Sequence, residues 1–137
     1  MEDNLRMRSF RIRSAFGLPL VCAVVVGPTG ASRVELVFDS GAVLTQLHVG
    51  TLESLGFQFK QRRPDLKMKG VSGKPQEGYS CQAKRFHLLG KKQDQPRIGA
   101  FDFADWAEAG IDGLLGWDLI QKLHLEMDGP RRNLKIF

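Results

Sequence analysis

The sequence contains little of what builds cross-linked, metal-binding or membrane-spanning proteins. Its two cysteines, Cys22 and Cys81, form neither a disulfide framework nor a metal-ligand spacing. The three histidines are scattered and lack the paired ligands of a zinc site. The main apolar run ends at Val26 and is too short to cross a membrane as a helix. We therefore expect no metal, no cofactor and no membrane partner.

What the chain does have is a size and a turn content typical of one β domain. A chain of 137 residues can bury about two thirds of its unfolded surface and needs no disulfide bonds or bound metal to stabilise its core. Its 15 glycines lie at apparent turns and not in a repeat. This distribution favours many short strands, as in a barrel or a sandwich.

The net charge of +5 raises the question of an acidic partner. Basic residues gather near the N-terminus and over 60–69. Such patches can bind nucleic acid, and a basic nucleic-acid-binding β barrel is one alternative. The aromatic residues do not alternate with these charges in a base-stacking pattern, however, and no nucleic-acid motif is present. We favour a solvated basic rim and expect no nucleic acid partner.

The N-terminal third allows two interpretations. Residues 1–17 predict a basic arm followed by an edge strand, and residues 18–137 one domain. The apolar run 18–26 could belong to a secretory signal, but it is rich in Val and stops at a turn over 27–30. Its removal would take away the hairpin partner of the next strand. We therefore expect a strand here and a cytoplasmic protein.

The apolar pattern predicts a mainly β chain with one or two short helices. Strands are expected at 18–26, 33–38, 57–60, 67–69, 79–89 and 114–115 and in a hairpin of 124–127 with 133–137, and helices at 47–55 and 117–123. Segment 91–110 gives no clear pattern beyond one helical turn near Trp106.

The stretch Asp39-Ser40-Gly41 follows directly on the predicted strand 33–38. All three residue types form turns, and a turn is the simplest interpretation of the triplet alone. Here, however, apolar residues both precede and follow it, which is unusual for a surface turn. A second element, Gly113-Leu114-Leu115-Gly116, opens onto a short amphipathic segment far downstream.

In this order and separation, the two elements resemble those of the retropepsin family of aspartic proteases. Phe38–Ala42 is similar to the family's apolar-Asp-Thr/Ser-Gly-Ala/Ser signature, and Ile111–Ile120 to its second motif. Thr45 stands where the family often has Thr. Gly70–Gly73 is similar to the glycine-rich flap tip. The resemblance extends from about residue 18 to residue 137.

The resemblance implies half of an acid protease, a closed barrel that becomes active as a C2 homodimer. It assigns Asp39, Ser40 and Gly41 to catalysis on a polypeptide substrate. It assigns substrate binding to the residues Ala42, Gly70, Val71, Ser72, Gly73 and Leu114. The alternative is a catalytically inactive dimerisation or peptide-binding module with the same fold.

The sequence departs from many viral members of that family at two positions. Those members pair an Arg just after the second motif with an acidic residue four positions past the catalytic Asp. Trp117 and Val43 occupy these positions here, so Trp117 is expected to supply apolar interface instead. Asp118 is expected to act as a helix cap or dipole partner, and Asp112 as a turn residue.

Overall fold

The computed structural model describes residues 7–69 and 74–137, and in these it contains thirteen strands and three short helices. The strands are β1 (Arg8–Arg11), β2 (Arg13–Ala15), β3 (Leu18–Val26), β4 (Ala31–Phe38), β5 (Gln46–His48), β6 (Leu66–Lys69), β7 (Pro75–Gln82), β8 (Arg85–Leu88), β9 (Lys91–Asp94), β10 (Arg97–Phe101), β11 (Gly113–Leu115), β12 (Leu125–Asp128) and β13 (Asn133–Ile136). The helices are α1 (Val49–Ser54), α2 (Ala104–Glu108) and α3 (Trp117–Ile120). The mainly β prediction is confirmed, with three short helices where one or two were expected.

Most strands belong to one large sheet with the order β6-β7-β10-β5-β11-β4-β3-β8-β9, and β2 pairs with β3. Its centre mixes strand directions: β11 is parallel to β4 and antiparallel to β5, and β5 is parallel to β10. A smaller sheet has the order β1-β13-β12. The expected hairpin near the C-terminal end is confirmed as β12 and β13.

Side chains that alternate along the central strands define two apolar clusters on opposite faces. The main core takes one face, where Leu36, Leu47 and Leu115 are completely buried. The other face carries a second cluster, which consists of Leu20, Val37, Ile111 and Leu114. Because neighbouring residues such as Leu114 and Leu115 face opposite ways, β11 contributes to both clusters.

The prediction for 18–26 is confirmed, since β3 spans Leu18–Val26 and pairs with β4 along most of its length. The predicted strand 57–60 is wrong, because this segment is irregular. The rings of Phe57 and Phe59 stack with centroids 6.4 Å apart, and Phe59 also stacks on Tyr79 at 5.2 Å. Phe59 is therefore buried by ring packing and not by strand pairing.

The predicted strand 79–89 is two strands, β7 and β8, separated at Ala83 and Lys84. The Ala83 N–H donates to the Pro96 carbonyl at 3.1 Å, and the Lys84 N–H donates to the Val26 carbonyl at 2.9 Å. The chain changes neighbours at this point, from β10 to β3. The sequence carries a sign of this change, since the apolar alternation of Tyr79, Cys81 and Ala83 shifts by one residue before Phe86 and Leu88.

The segment before β3 is paired with the rest of the fold, β1 with β13 and β2 with β3. The division of the chain at residue 17 stays a prediction. Within residues 7–69 and 74–137, no helix has the length and apolar character needed to cross a membrane.

Candidate active site

Two parallel strands, β4 and β11, carry the two sequence elements side by side. Phe38 is in register with Leu115, and the Asp39 N–H donates to the Leu115 carbonyl at 2.9 Å. This bond extends the parallel ladder by one residue, so the half-buried Asp39 leaves the sheet from a fixed position. A carboxylate held in this way needs little reorganisation to act on a ligand.

The loop after Asp39 turns sharply back on the carboxylate. The Gly41 N–H donates to Asp39 Oδ1 at 3.0 Å, and the Ala42 N–H donates to the Asp39 carbonyl at 3.2 Å. Ser40 and Gly41 are both exposed. Among the described residues, the Ser40 hydroxyl forms no hydrogen bond, so it is available to an external partner.

A buried network joins this loop to the second element. The Thr45 side chain is completely buried, and its hydroxyl donates to Asp118 Oδ1 at 2.8 Å. The same hydroxyl accepts the Gly116 N–H at 3.0 Å, while the Thr45 N–H donates to Asp118 Oδ1 at 2.9 Å. The Trp117 N–H donates to the Ala42 carbonyl at 2.7 Å. These bonds fix the start of α3 against the strand that follows Asp39.

The network gives Asp118 a role beyond those expected from the sequence. Asp118 lies in the first turn of α3, as a dipole partner would, but it forms no cap hydrogen bond within the helix. Its carboxylate instead accepts both bonds from Thr45, 73 residues earlier in the chain. Gly116 is required in this arrangement, because a Cβ there would lie 2.7 Å from the Leu44 carbonyl carbon.

Asp112 provides a second connection between β4 and the second element. Its N–H donates to the Glu35 carbonyl at 2.8 Å, and its Oδ2 accepts the Glu35 N–H at 2.9 Å. The carbonyl of Asp112 also accepts the His48 N–H at 2.7 Å. Asp112 thus has a structural role, as its position in a turn suggested, but its partners are distant in sequence.

The second apolar cluster brings together two of the expected substrate-binding residues. Leu114 belongs to this cluster, and Ala42 packs against it from the Asp39 loop. Phe103 and Trp106 cover the same face with their rings stacked at 5.5 Å. The other expected residues, Gly70 to Gly73, lie outside the described residues. The strands on either side of them, β6 and β7, pair antiparallel.

A polar cluster that sequence reasoning missed holds β7 near the start of β6. Asp65 Oδ1 accepts the Ser80 N–H at 2.7 Å, and Asp65 Oδ2 accepts the Ser80 hydroxyl. These two bonds lower the pKa of the Asp65 carboxyl. Arg62 donates to the Ser80 carbonyl at 2.9 Å. Beside this cluster, burial raises the pKa of the Cys81 thiol to about 11.

Two further features were only partly foreseen. Val43 is 86% exposed and Trp117 is 49% exposed, so the two positions that depart from the viral pattern present apolar surface beside the Asp39 loop. Gln46 is buried, and its side-chain oxygen has no hydrogen-bond partner.

In the described part of the chain, no cluster of His, Cys, Asp or Glu is suited to hold a metal ion.

The chain has a retropepsin-like fold, in which two parallel strands place an aspartate loop beside a Gly-Leu-Leu-Gly loop. Comparison with solved structures supports this fold. A retropepsin-like aspartic protease from Rickettsia conorii is similar with a TM-score of 0.69 and 16% identity, over 96% of this chain and 91% of that one. The EIAV protease complexed with the inhibitor HBY-793 gives a TM-score of 0.58 and 16% identity, over 80% of this chain and 91% of that one.

The sequence itself shows the family to which this chain belongs. Residues 23–119 match the family model described as aspartyl protease. The chain therefore belongs to the aspartyl protease family. A search of curated proteins returned no match to the sequence.

Proposed function

We propose that this protein is an aspartic endopeptidase that hydrolyses peptide bonds as a homodimer. The observation that carries the proposal is the position of Asp39, which directly follows β4: its N–H donates to the Leu115 carbonyl and its carboxylate lies at an exposed loop. A structural aspartate would instead bond its carboxylate to a distant part of the chain, as Asp118 does to Thr45, whereas Asp39 Oδ1 accepts the N–H of Gly41 in its own loop.

The proposed mechanism requires two such carboxylates. A pair that shares one proton holds a water molecule, and one carboxylate acts as general base on that water. The other acts as general acid towards the scissile carbonyl oxygen. The sequence contains a single Asp-Ser-Gly, so the second Asp39 must come from another copy. A twofold axis beside the loop would place the two side chains together.

The neighbouring residues have proposed roles in this dimer. The exposed Ser40 hydroxyl is free to hydrogen-bond across the axis and brace the two loops. Gly41 allows close approach of the substrate backbone. Ala42 and Leu114 form the floor under an extended peptide, and Gly70–Gly73 cover it as a flap. The peptide would bind as a further β-strand, held by hydrogen bonds between its backbone and that of the protein.

The test is the variant Asp39→Asn, which keeps the size of the side chain and removes its charge. Cleavage of an unfolded protein substrate is measured from pH 4 to 7, with the oligomeric state followed by sedimentation. We expect the variant to lose activity by at least about 10²-fold while it remains a dimer. The matched control, Asp94→Asn on exposed β9, should keep wild-type activity.

Cleavage by Asp39→Asn at the wild-type rate would contradict the assignment of Asp39 as the catalytic aspartate. A wild-type protein that forms dimers and binds peptides without cutting them would support the inactive peptide-binding module instead. A monomer at every concentration would contradict the homodimer.

A further inference from the structure

His48 connects the end of β5 to the residues 102–108, which contain α2 and are called the α2 segment below. Its Nδ1 accepts the Phe103 N–H at 3.0 Å. A neutral imidazole accepts a hydrogen bond at one ring nitrogen, and a protonated imidazole accepts none. Because Nδ1 is the acceptor, this bond between β5 and the α2 segment exists only while His48 is uncharged.

A carboxylate lies beside the same ring nitrogen. Asp102 Oδ1 is 4.0 Å from His48 Nδ1 and accepts the Ala104 N–H at 2.9 Å, at the start of α2. Of the residues that the structure describes, Asp102 alone brings an opposite charge this close to the imidazole. Protonation would therefore change Nδ1 from an acceptor for Phe103 into a donor for Asp102.

The other groups around His48 hold the ring in place. The Asp112 carbonyl accepts the His48 N–H at 2.7 Å, while the Asp112 carboxylate accepts bonds from the Glu35 N–H and the Thr51 hydroxyl. A Cβ at Gly50 would lie 2.9 Å from His48 Nε2, so the ring packs against the first turn of α1, which contains no acidic residue. The imidazole is 18% exposed, so solvent protons can reach it. A change of charge thus alters the bonds of the ring more than its position.

The α2 segment lies over the floor of the proposed site. Phe103 and Trp106 pack against the apolar cluster that contains Leu114, which is only 8% exposed. The Gln76 side chain donates to the Asp102 carbonyl at 3.1 Å, so the segment also contacts β7, the strand that follows the expected flap tip. The same segment lines an open pocket of about 310 Å³, which leaves room for its displacement.

We propose that His48 is a positioning residue that makes access to the floor depend on pH. This inference rests on the proposed function and concerns the regulation of the same site. At neutral pH, the bond to Phe103 holds the α2 segment over Leu114. The charge of a histidine changes between about pH 5 and 8. The imidazolium formed at lower pH repels the Phe103 N–H and attracts the Asp102 carboxylate, so the segment is released and an extended peptide reaches Leu114. His48 acts through Phe103 and does not contact the substrate.

The experiment compares wild-type protein with His48→Asn and His48→Leu. The Asn Oδ1 takes the position of Nδ1 and accepts the Phe103 N–H at every pH, whereas Leu never accepts it. The value of kcat/KM for one peptide is measured from about pH 5 to about pH 7.5. Each variant is divided by wild type at the same pH, because the Asp39 pair titrates in all three proteins.

Loss of one hydrogen bond changes the ratio of held to released protein by about tenfold. We therefore expect His48→Asn to equal wild type at the upper end of the pH range and to fall to about one tenth of it at the lower end. His48→Leu should equal wild type at the lower end and exceed it about tenfold at the upper end. The control, His87→Asn on β8, should give a ratio close to that of wild type throughout. Ratios for both His48 variants that do not change with pH would overturn the inference.

The fluorescence of Trp106 is a readout that does not depend on cleavage. In a Trp117→Phe background Trp106 is the single tryptophan, and its emission reports on the α2 segment. At one fixed protein concentration, the emission should shift to longer wavelength as the pH falls. His48→Asn should show no shift, and His48→Leu should emit at the longer wavelength throughout.

This readout also separates the inference from the proposed function. If wild-type protein cleaves nothing, the proposed function fails, and the emission of Trp106 alone decides whether His48 controls the α2 segment. An emission that is independent of pH in the His48-containing protein, or a shift that persists in His48→Asn, would overturn the inference.

Discussion

The network around Thr45 predicts a large loss of stability in Thr45→Val. Valine has the same shape as threonine, so the core packing is kept while the hydroxyl is removed. The substitution leaves the Gly116 N–H without its acceptor and takes one donor from Asp118 Oδ1. An unpaired buried donor costs about 1–3 kcal/mol, and a bond to a charged group is worth about 1.5–3 kcal/mol. Because the two effects overlap, we expect a loss of about 2–4 kcal/mol.

The free energy of unfolding is measured by urea denaturation at one fixed protein concentration, since dimerisation would otherwise change the apparent stability. Thr45→Ser is the matched control. It keeps the hydroxyl and removes one buried methyl group, which should cost about 1 kcal/mol. A Thr45→Val protein within about 0.5 kcal/mol of wild type would refute the reasoning. Equal losses in both variants would show that the methyl group, and not the network, supports the loops.

Three further predictions concern other parts of the fold. Gly113→Ala should prevent folding, seen as a loss of the cooperative unfolding transition, because the new Cβ would lie 2.0 Å from the Gln46 carbonyl oxygen. Cys81 should react slowly with a thiol reagent at pH 8 in the native protein and rapidly in urea, because its pKa is about 11; fast native labelling would contradict its burial. The pKa of Asp65 is lower in the folded state, so its stabilising bonds with Ser80 are present above about pH 4 and lost as the pH falls further. In Ser80→Ala, the free energy of unfolding should therefore fall less steeply as the pH decreases below about 4. An unchanged pH dependence would contradict a contribution from the Asp65–Ser80 bonds.

Local patterns predicted the strands that carry the site, because those strands are apolar runs bounded by turns. Both β3 and the strand that ends before Asp39 were predicted in this way. The partners of Thr45 and Asp112 could not be predicted, since each lies more than 60 residues away and no local pattern encodes it. The prediction of a strand at 57–60 was wrong because two phenylalanines at alternate positions are typical of a strand, but here the same spacing serves ring stacking.

Some predictions concern properties that the fold does not decide. The catalytic assignment of Asp39 and the homodimer need the assays described above. The cytoplasmic location stays a prediction. The expected flap-tip residues, Gly70–Gly73, lie outside the described residues, so their contact with substrate is a proposal.

The bonds from Glu35 to Asp112 and from Thr45 to Asp118 bridge separations of 77 and 73 residues. A ribosome therefore completes the Asp39 segment long before it makes the residues that hold it in place. Pairing between such distant segments forms slowly and only after the intervening chain is available. A partly synthesised chain has the aspartate but not the strand beneath it, so the proposed active site cannot assemble before the second element has been made.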